Sequence, residues 1–159
     1  MIGLPTETYE DLDEIVQLVY ELAKIRLEFK KKPGAVNLSI GTFIAKPNTY
    51  FERYKLNSSQ EIVDKQNYLR QKFKKRYIKY NFTSIKVSLL EAALSRGNRQ
   101  IGKVVHEAWR SGARLDAWHE HYRPDVWERA FVKEGINWEK YATRERAADE
   151  ILPWKHIDI

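Results

Sequence analysis

Two short loops of this 159-residue chain combine proline with hydroxyl side chains, and the first also contains glycine, as do loops that hold ligands at strand ends. The first loop covers residues 3–8 and the second covers residues 46–49. If each follows a parallel strand, both emerge at the carboxyl edge of the sheet, where α/β proteins bind ligands. Gly3 permits a close backbone approach, and free N–H groups around Thr8 can receive a carboxylate or phosphate. Turns and helix caps use the same residues, so a purely structural role stays open.

The segment from Val36 to Ala45 alternates between two kinds of side chain, which predicts a strand with two different faces. One face is aliphatic, and the other is mostly small and polar and contains Asn37, Ser39, Gly41 and Phe43. A parallel strand covered by helices on both sides should be apolar on both faces. The polar face therefore predicts a strand that looks into a cavity or a barrel lumen. A half-exposed strand of an antiparallel sheet is the alternative.

A strongly basic segment runs from Lys65 to Lys86, with eight lysines and arginines and no acidic residue, in a chain of net charge +6. Five aromatic residues are interleaved with these charges: Tyr68, Phe73, Tyr77, Tyr80 and Phe82. Basic and stacking side chains together are typical of surfaces that bind RNA or another polyanion. The candidate contacts are Lys72, Lys74, Lys75 and Arg76. A solvated helix end with its aromatic residues turned into the core is the alternative.

The chain contains no cysteine, which excludes disulfides, thiolate metal sites and cysteine nucleophiles formed by its own residues. His119 and His121 would lie on one side of a strand and could then share a metal. Their surroundings instead predict a helix, on which positions i and i+2 diverge. We therefore expect no metal site, and no Ser-His-Asp set or other catalytic group stands out.

Helix signals define the elements that must position these residues. Thr8 begins one predicted helix, and Ser58 with Glu61 forms a capping box for a second that extends to about Phe73. A short strand is expected near residues 77–83. We expect an α/β part, residues 1–84, followed by a helical part, residues 85–159.

The helical part is predicted from cap residues. Ser88 with Glu91 should open a helix that ends at Gly97, and Asn98 should cap the next. Pro124 has the place of a first helical residue. At the other end of the chain, residues 1–4 are too short for a stable edge strand, yet a turn and a long helix follow as in a βα unit. The sheet is therefore expected to continue beyond this chain.

The two loops also resemble a known family. Residues 1–8, MIGLPTET, resemble the late-strand motif of radical S-adenosylmethionine (SAM) enzymes, and residues 43–49, FIAKPNT, resemble the end of their last core strand. The segments LEAALSRG at 90–97, GARLDAW at 112–118 and LPWKHID at 152–158 resemble the C-terminal region of one subgroup. That subgroup carries an N-terminal cobalamin-binding domain. The resemblance extends over essentially the whole chain.

The resemblance implies the C-terminal portion of such an enzyme: a partial (β/α) barrel, from the end of strand five through helix six, followed by a mostly helical extension. In this family a CxxxCxxC loop holds a [4Fe–4S] cluster that reduces SAM and generates a deoxyadenosyl radical. Without cysteine, this chain is expected to be inert alone, with the cluster on a missing N-terminal part, in cis or as another chain.

The resemblance also implies roles for individual residues. Gly3, Leu4 and Pro5, together with residues 43–45 (Phe43, Ile44 and Ala45), would lie beside the SAM adenosine. Asn37, Ser39 and Gly41 would face the substrate, whose identity the sequence does not give. SAM, the cluster and cobalamin would be cofactors of the full-length protein, and none is expected to bind tightly to this chain alone.

Two further interpretations are carried alongside this one. The first is an RNA-binding or polyanion-binding module centred on residues 65–86, and the second is a subunit that completes its barrel with another polypeptide. The longest uncharged stretch, residues 33–45, is shorter than the roughly 20 residues that span a bilayer. Residues 1–7 have no signal-peptide pattern. A cytoplasmic protein that does not enter the membrane is therefore expected.

Overall fold

The computed structural model describes residues 1–118 and 120–157. Its elements, in chain order, are α1 (Tyr9–Phe29), β1 (Val36–Ile40), α2 (Ser59–Lys72), β2 (Ile78–Phe82), α3 (Ile85–Arg96), α4 (Arg99–Arg110), α5 (Pro124–Lys133) and α6 (Trp138–Thr143). The predicted mixed α/β class is confirmed: the described elements are six helices and a small parallel sheet of two strands. None of the described helices is both long enough and apolar enough to cross a membrane.

The described chain divides into two compact units. The first unit contains residues 1–43 and 57–85, and therefore α1, β1, α2 and β2. The second unit contains residues 44–56 and the described residues from 86 onward. The sequence-based division into domains 1–84 and 85–159 stays a prediction.

Helix α1 begins where its cap residues predict. The Thr8 hydroxyl accepts a hydrogen bond from the Asp11 N–H, and the Asp11 carboxylate accepts one from the Thr8 N–H at 2.6 Å. This capping box satisfies two backbone donors that the first turn of a helix leaves free. Leu12, Val19 and Ala23 follow on one side of the helix and are buried. Ser58 and Glu61 form the same reciprocal box at the start of α2, as predicted.

The sheet of the first unit is parallel and follows the order of the sequence. β1 pairs with β2 in a register that runs from Val36 opposite Ile78 to Ile40 opposite Phe82. On the other side of β1, Ile2 forms a parallel bridge with Thr42. The Ile2 N–H donates to Gly41 O at 2.9 Å, and the Phe43 N–H donates to Ile2 O at 2.7 Å. The strand predicted to reach Ala45 therefore ends at Ile40 and continues only as this bridge.

Both crossover helices cover the same face of the sheet. The buried cluster of the first unit joins side chains from Ile2, both helices and both strands: Ile2, Leu12, Val19, Ile40, Leu69, Phe73 and Ile78. Val36, Leu38, Tyr80 and Phe82 pack against it. The opposite face carries Asn37, Ser39, Lys79 and Asn81, which are exposed. The two-sided alternation predicted for β1 is therefore present, with one buried and one open face.

The second unit is built around the packing of α4 on α5. Ile101, Val104, Val126 and Phe131 belong to its core. Asn98 caps α4 and Pro124 is the first residue of α5, as predicted. The prediction that Ser88 opens a helix is wrong: α3 begins at Ile85, and Ser88 is buried in the helix interior. Position 88 lies on the buried side of α3, where its small side chain fits against the core.

Arg96 is the largest fully buried side chain of the second unit. Its guanidinium donates to Tyr54 O and Arg144 O, both at 2.9 Å. Burial lowers the pKa of Arg96 to about 10. A fixed fork of donors suits the capping of several carbonyl groups, so Arg96 ties residues 52–54 and the end of α6 to α3.

We expect Leu12→Ala to lower the free energy of unfolding by about 2–5 kcal/mol, because a fully buried leucine leaves a cavity when it is truncated. Leu18→Ala is the matched control on the same helix, since Leu18 is 56% exposed. Its cost should stay within about 0.5 kcal/mol. Urea denaturation of both variants measures the difference. Equal losses would show that α1 does not pack through the Leu12 side.

Candidate functional site

The first candidate loop lies at the carboxyl edge of the parallel sheet of the first unit. Ile2 is hydrogen-bonded between Gly41 and Phe43, so residues 3–5 and Phe43 follow two neighbouring strand ends. Gly3 is buried and has a φ of +90°. The positive φ favours glycine at position 3, and a Cβ there would lie 2.8 Å from Ile62 Cδ1, so the buried Ile62 side chain would have to shift. We call this edge, formed by Gly3, Leu4, Pro5, Thr42 and Phe43, the rim.

A buried ion pair holds the rim loop in place. The Glu7 Oε1 atom accepts hydrogen bonds from the Gly3 N–H at 2.8 Å and from Lys65 Nζ at 2.7 Å. The side chains of Glu7 and Lys65 are 3% and 11% exposed. A buried carboxylate is tolerated when it is paired and hydrogen-bonded. Here Glu7 Oε1 makes both the ion pair with Lys65 and the hydrogen bond with the Gly3 N–H.

The sequence analysis did not predict this ion pair, although the position of Lys65 in the sequence indicates it. Lys65 was counted only among the basic residues. It lies three residues after Ile62 and four before Leu69, both of which are buried on α2. A lysine on the buried side of a helix requires a carboxylate partner. The partner is Glu7, which lies in the first candidate loop.

Two polar atoms near the rim are buried without a partner. Thr42 Oγ1 and Asn57 Oδ1 make no hydrogen bond within the described part of the chain. Asn57 Oδ1 lies 3.4 Å from the position that a Cβ of Gly3 would occupy. A buried acceptor without a donor is costly, and these two atoms are unsatisfied polar groups that the described residues place near the rim.

The open face of the sheet contains the residues predicted to face a substrate. Asn37 and Ser39 are exposed on β1, and Gly41 is half-buried at its end. The register places Lys79 opposite Asn37 and Asn81 opposite Ser39, so β2 extends the same polar face. Sequence reasoning did not include Lys79 or Asn81, because it located β2 without assigning its faces.

The remaining predicted cofactor residues are divided between the units. Phe43 ends the first stretch of the first unit, and Ile44 and Ala45 belong to the second unit, in which Ala45 is fully buried. The second candidate loop follows there. Thr49 Oγ1 donates to Lys46 O at 2.8 Å, and Lys46 Nζ forms an ion pair with Glu91 of α3.

The basic segment does not form one continuous charged surface. Lys65 and Lys72 are paired, with Glu7 and Asp13. The hydrogen bond from Lys72 lowers the pKa of Asp13. The five interleaved aromatic residues belong to the core cluster or pack against it. Lys74, Lys75 and Arg76 are exposed, and their side chains make no ion pair or hydrogen bond within the described residues.

The helical setting predicted for His121 is wrong. His119 lies outside the described residues, and its neighbours 116–118 and 120–121 form turns. The left-handed backbone of Gly112 and Leu115 directs the chain out of the helix after α4. Within residues 1–118 and 120–157, no group of three His, Asp or Glu side chains could hold a metal ion.

The first unit is therefore of the α/β class, with parallel strands and a polar carboxyl edge. No family model matches the chain, and no solved structure matches it. An uncharacterized protein of Methanocaldococcus jannaschii is 30% identical over 107 residues, which is 66% of this chain and 22% of that protein. The chain thus spans about a fifth of the length of the curated relative it matches.

We expect Glu7→Gln to lower the free energy of unfolding by about 3–5 kcal/mol, because it leaves the buried Lys65 ammonium without a counter-charge. Glu91→Gln is the control, since the Lys46–Glu91 pair is about half exposed and should contribute less than about 1 kcal/mol. Chemical denaturation measures both.

Adding Lys65→Met to Glu7→Gln should restore most of the lost stability. The glutamine still offers an oxygen to the Gly3 N–H, and the double variant buries no unpaired charge. If Glu7→Gln costs no more than Glu91→Gln, the buried pair does not hold the rim.

Proposed function

We propose that this chain is the C-terminal portion of a radical SAM enzyme of the cobalamin-associated subgroup, and that its first unit completes a partial (β/α) barrel. The observation that carries the proposal is the order Ile2, β1, β2 in one parallel sheet, with α1 and α2 on the same face. Doubly wound sheets reverse their strand order and carry helices on both faces. A sheet that curls into a barrel keeps sequence order and places its helices outside.

The open face supports the same proposal. Asn37, Ser39, Lys79 and Asn81 would line the lumen of the completed barrel. Near the rim, Thr42 Oγ1 and Asn57 Oδ1 offer unpaired polar atoms. Both features suit a fold whose ligands bind within and above the lumen.

A second line of support is an apolar flank on α1, formed by Leu18, Leu22, Ile25 and Phe29. These side chains follow one another at helical spacing, and their exposed fractions range from 48% to 80%. Four large apolar side chains on one exposed side of a helix are typical of an interaction surface.

The flank lies on the side of α1 away from α2. The α2-facing side is marked by Tyr9, whose ring meets Tyr68, and by Tyr20, whose hydroxyl donates to Lys72 O. At 3.6 residues per turn, the apolar flank is about half a turn from these positions. It therefore lies on the Ile2 side of the sheet, where one more βα unit would pair with Ile2 and cover the flank.

The relative from M. jannaschii agrees with this picture in one respect. The matched segment is 22% of that protein, so a similar segment occurs there within a much longer chain. This is what the proposal expects of a C-terminal portion.

The residues present fit one of the implied cofactors and not another. A [4Fe–4S] cluster does not fit, because the chain has no cysteine. The rim fits SAM through the backbone of residues 3–5 and the two unpaired oxygen atoms of Thr42 and Asn57. When bound beside a cluster, SAM supplies the radical that abstracts hydrogen from a substrate. Cobalamin is assigned no residue of this chain.

Under this proposal, the rim, the open face of the sheet and the core each have a binding or positioning role. Glu7 and Lys65 fix the rim loop, so that the Gly3 backbone stays close to the ligand. Asn37 and Ser39 offer hydrogen bonds to the substrate from the lumen face. The apolar core behind β1 keeps water away from the helix-facing side of the sheet.

The proposal is tested first by reading the DNA upstream of the Met1 codon. We expect an in-frame segment that encodes CxxxCxxC. The full-length protein, reconstituted with iron and sulfide and then reduced, should convert SAM into 5′-deoxyadenosine, whereas the 159-residue chain alone should not. A stop codon followed by a ribosome-binding site directly before Met1, with no partner gene encoding CxxxCxxC beside it, would overturn the proposal.

The proposed binding of SAM at the rim is tested with a variant of the full-length protein. Thr42→Val removes an unpaired buried hydroxyl, so it should leave folding stability unchanged or higher. It should weaken SAM binding by about 2- to 12-fold, the value of one lost hydrogen bond. Ser88→Ala also removes an unpaired buried hydroxyl, on α3 of the second unit, and should leave SAM affinity unchanged. Equal SAM affinities for wild type and Thr42→Val would remove Thr42 from the site.

The apolar flank of α1 is tested by making the same substitutions in the 159-residue chain and in the full-length protein. Leu22→Asp with Ile25→Asp should change the unfolding free energy of the 159-residue chain by no more than about 0.5 kcal/mol per site, because both side chains are exposed there. In the full-length protein, the same pair should cost several kcal/mol, since the carboxylates would be buried against a neighbouring helix. Equal small effects in both proteins would mean that nothing covers this flank.

A further inference from the structure

Two lysine-rich loops that are distant in sequence meet at the amino edge of the sheet. Residues 30–32 connect α1 to β1, and residues 74–76 connect α2 to β2. Because β1 and β2 are parallel and paired from Val36 and Ile78 onward, both loops precede the same edge. The Val36 N–H donates to Tyr77 O at 2.9 Å, which joins the two loop ends directly.

Both loops are also attached to the same turn of α1. The Tyr20 hydroxyl donates to Lys72 O at 2.8 Å, at the start of one loop. The Gly34 N–H donates to Ala23 O at 2.8 Å, at the end of the other. Tyr20 and Ala23 are three residues apart, which is about one helical turn. Six cationic side chains are thereby grouped in one region, which we call the basic edge: Lys30, Lys31, Lys32, Lys74, Lys75 and Arg76.

The charges of the basic edge are not neutralised by the rest of the described chain. All six residues are exposed, and none of their side chains takes part in an ion pair or hydrogen bond within residues 1–118 and 120–157. Glu28 is the single acidic residue between positions 22 and 51, and there is none from 65 to 86.

Helix dipoles account for other basic residues, not for these. Cations in the last turn of a helix are stabilised by its negative end. Arg26 occupies that position in α1, and Arg70 and Lys72 occupy it in α2. The six residues of the basic edge follow the helix ends, so capping does not explain their accumulation.

We propose that the basic edge binds the phosphate backbone of a nucleic-acid duplex, for which double-stranded RNA is the probe. Five of the six cations are lysines, which act as point charges on phosphates, whereas carboxylates are matched better by the arginine fork. The aromatic residues near Lys74–Arg76, Phe73 and Tyr77, pack into or against the core. Phe29, beside Lys30, is the one exposed aromatic ring adjoining these charges in the described chain, whereas single-strand binding stacks successive bases on several rings. Recognition therefore rests on backbone phosphates and is independent of sequence.

This inference does not rest on the proposed function. The rim lies at the carboxyl edge of the strands and the basic edge lies at the amino edge, so the two sites share no residue. The chain can bind a nucleic-acid duplex at one edge whether or not SAM binds at the other.

The test uses the 159-residue chain and a fluorescent RNA duplex of about 20 base pairs, long enough for a protein that contacts successive grooves. Fluorescence anisotropy gives the affinity at several KCl concentrations between about 50 and about 200 mM. For six phosphate contacts, the slope of log K against log salt should be about −5, so affinity falls about 10³-fold over this range.

Two triple variants test the two loops separately. Lys30→Gln with Lys31→Gln and Lys32→Gln removes one loop's charge, and Lys74→Gln with Lys75→Gln and Arg76→Gln removes the other's. Each should lower affinity at least tenfold at low salt and bring the slope to about −3. The control is Arg99→Gln with Lys103→Gln and Lys140→Gln, which removes the same charge from exposed positions of the second unit. It should change affinity less than threefold.

Several outcomes would overturn the proposal. One is that the wild-type chain has no measurable affinity for the duplex at low salt. Another is that the control variant loses as much affinity as the loop variants, and a third is that only one of the two loop variants loses affinity. Stronger competition by polyglutamate or by phosphatidylserine vesicles than by unlabelled duplex would assign the surface to an acidic protein or a membrane instead. Circular dichroism on each variant verifies that the helices are intact.

Discussion

The parallel pairing of Ile2 with β1 is the constraint on which the first unit depends. Two backbone hydrogen bonds join Ile2 to Gly41 and Phe43, and each contributes only about 1 kcal/mol net. The Ile2 side chain is fully buried, which adds roughly 1.5–3 kcal/mol. The Glu7–Lys65 pair then fixes the loop that follows. No one of these interactions is enough alone, so strand end, rim loop and buried ion pair stabilise one another.

Local signals predicted the elements well, because they act within a few residues. The capping boxes at Thr8 and Ser58, the alternation along β1 and the start of α5 at Pro124 all depend on neighbours in sequence. The prediction at Ser88 was wrong for the opposite reason. Burial within the second unit, which is a tertiary effect, places this serine inside a helix rather than before it.

The parts that sequence could not predict are those created by pairing distant segments. Lys79 and Asn81 join the face of Asn37 and Ser39 only through the register of β1 and β2. Residues 30–32 and 74–76 meet only because two parallel strands share an amino edge. Lys65 looked like one more surface cation, and its partner lies 58 residues away. Hydrophobic periodicity and capping residues describe one helix or strand at a time, so they give no information about contacts between segments that are distant in sequence.

The two edges of the sheet differ in charge, and their separation keeps them electrostatically independent. At the rim, the buried Glu7 and Lys65 hold the loop and compensate each other. The amino edge carries six uncompensated cations. A strand of five residues is about 17 Å long, and the Debye length at physiological salt is about 8 Å. Screening therefore confines the field of the basic edge to its own end of the strands. An anionic ligand at the rim would be held by hydrogen bonds and shape, and a polyanion at the amino edge would be held by charge.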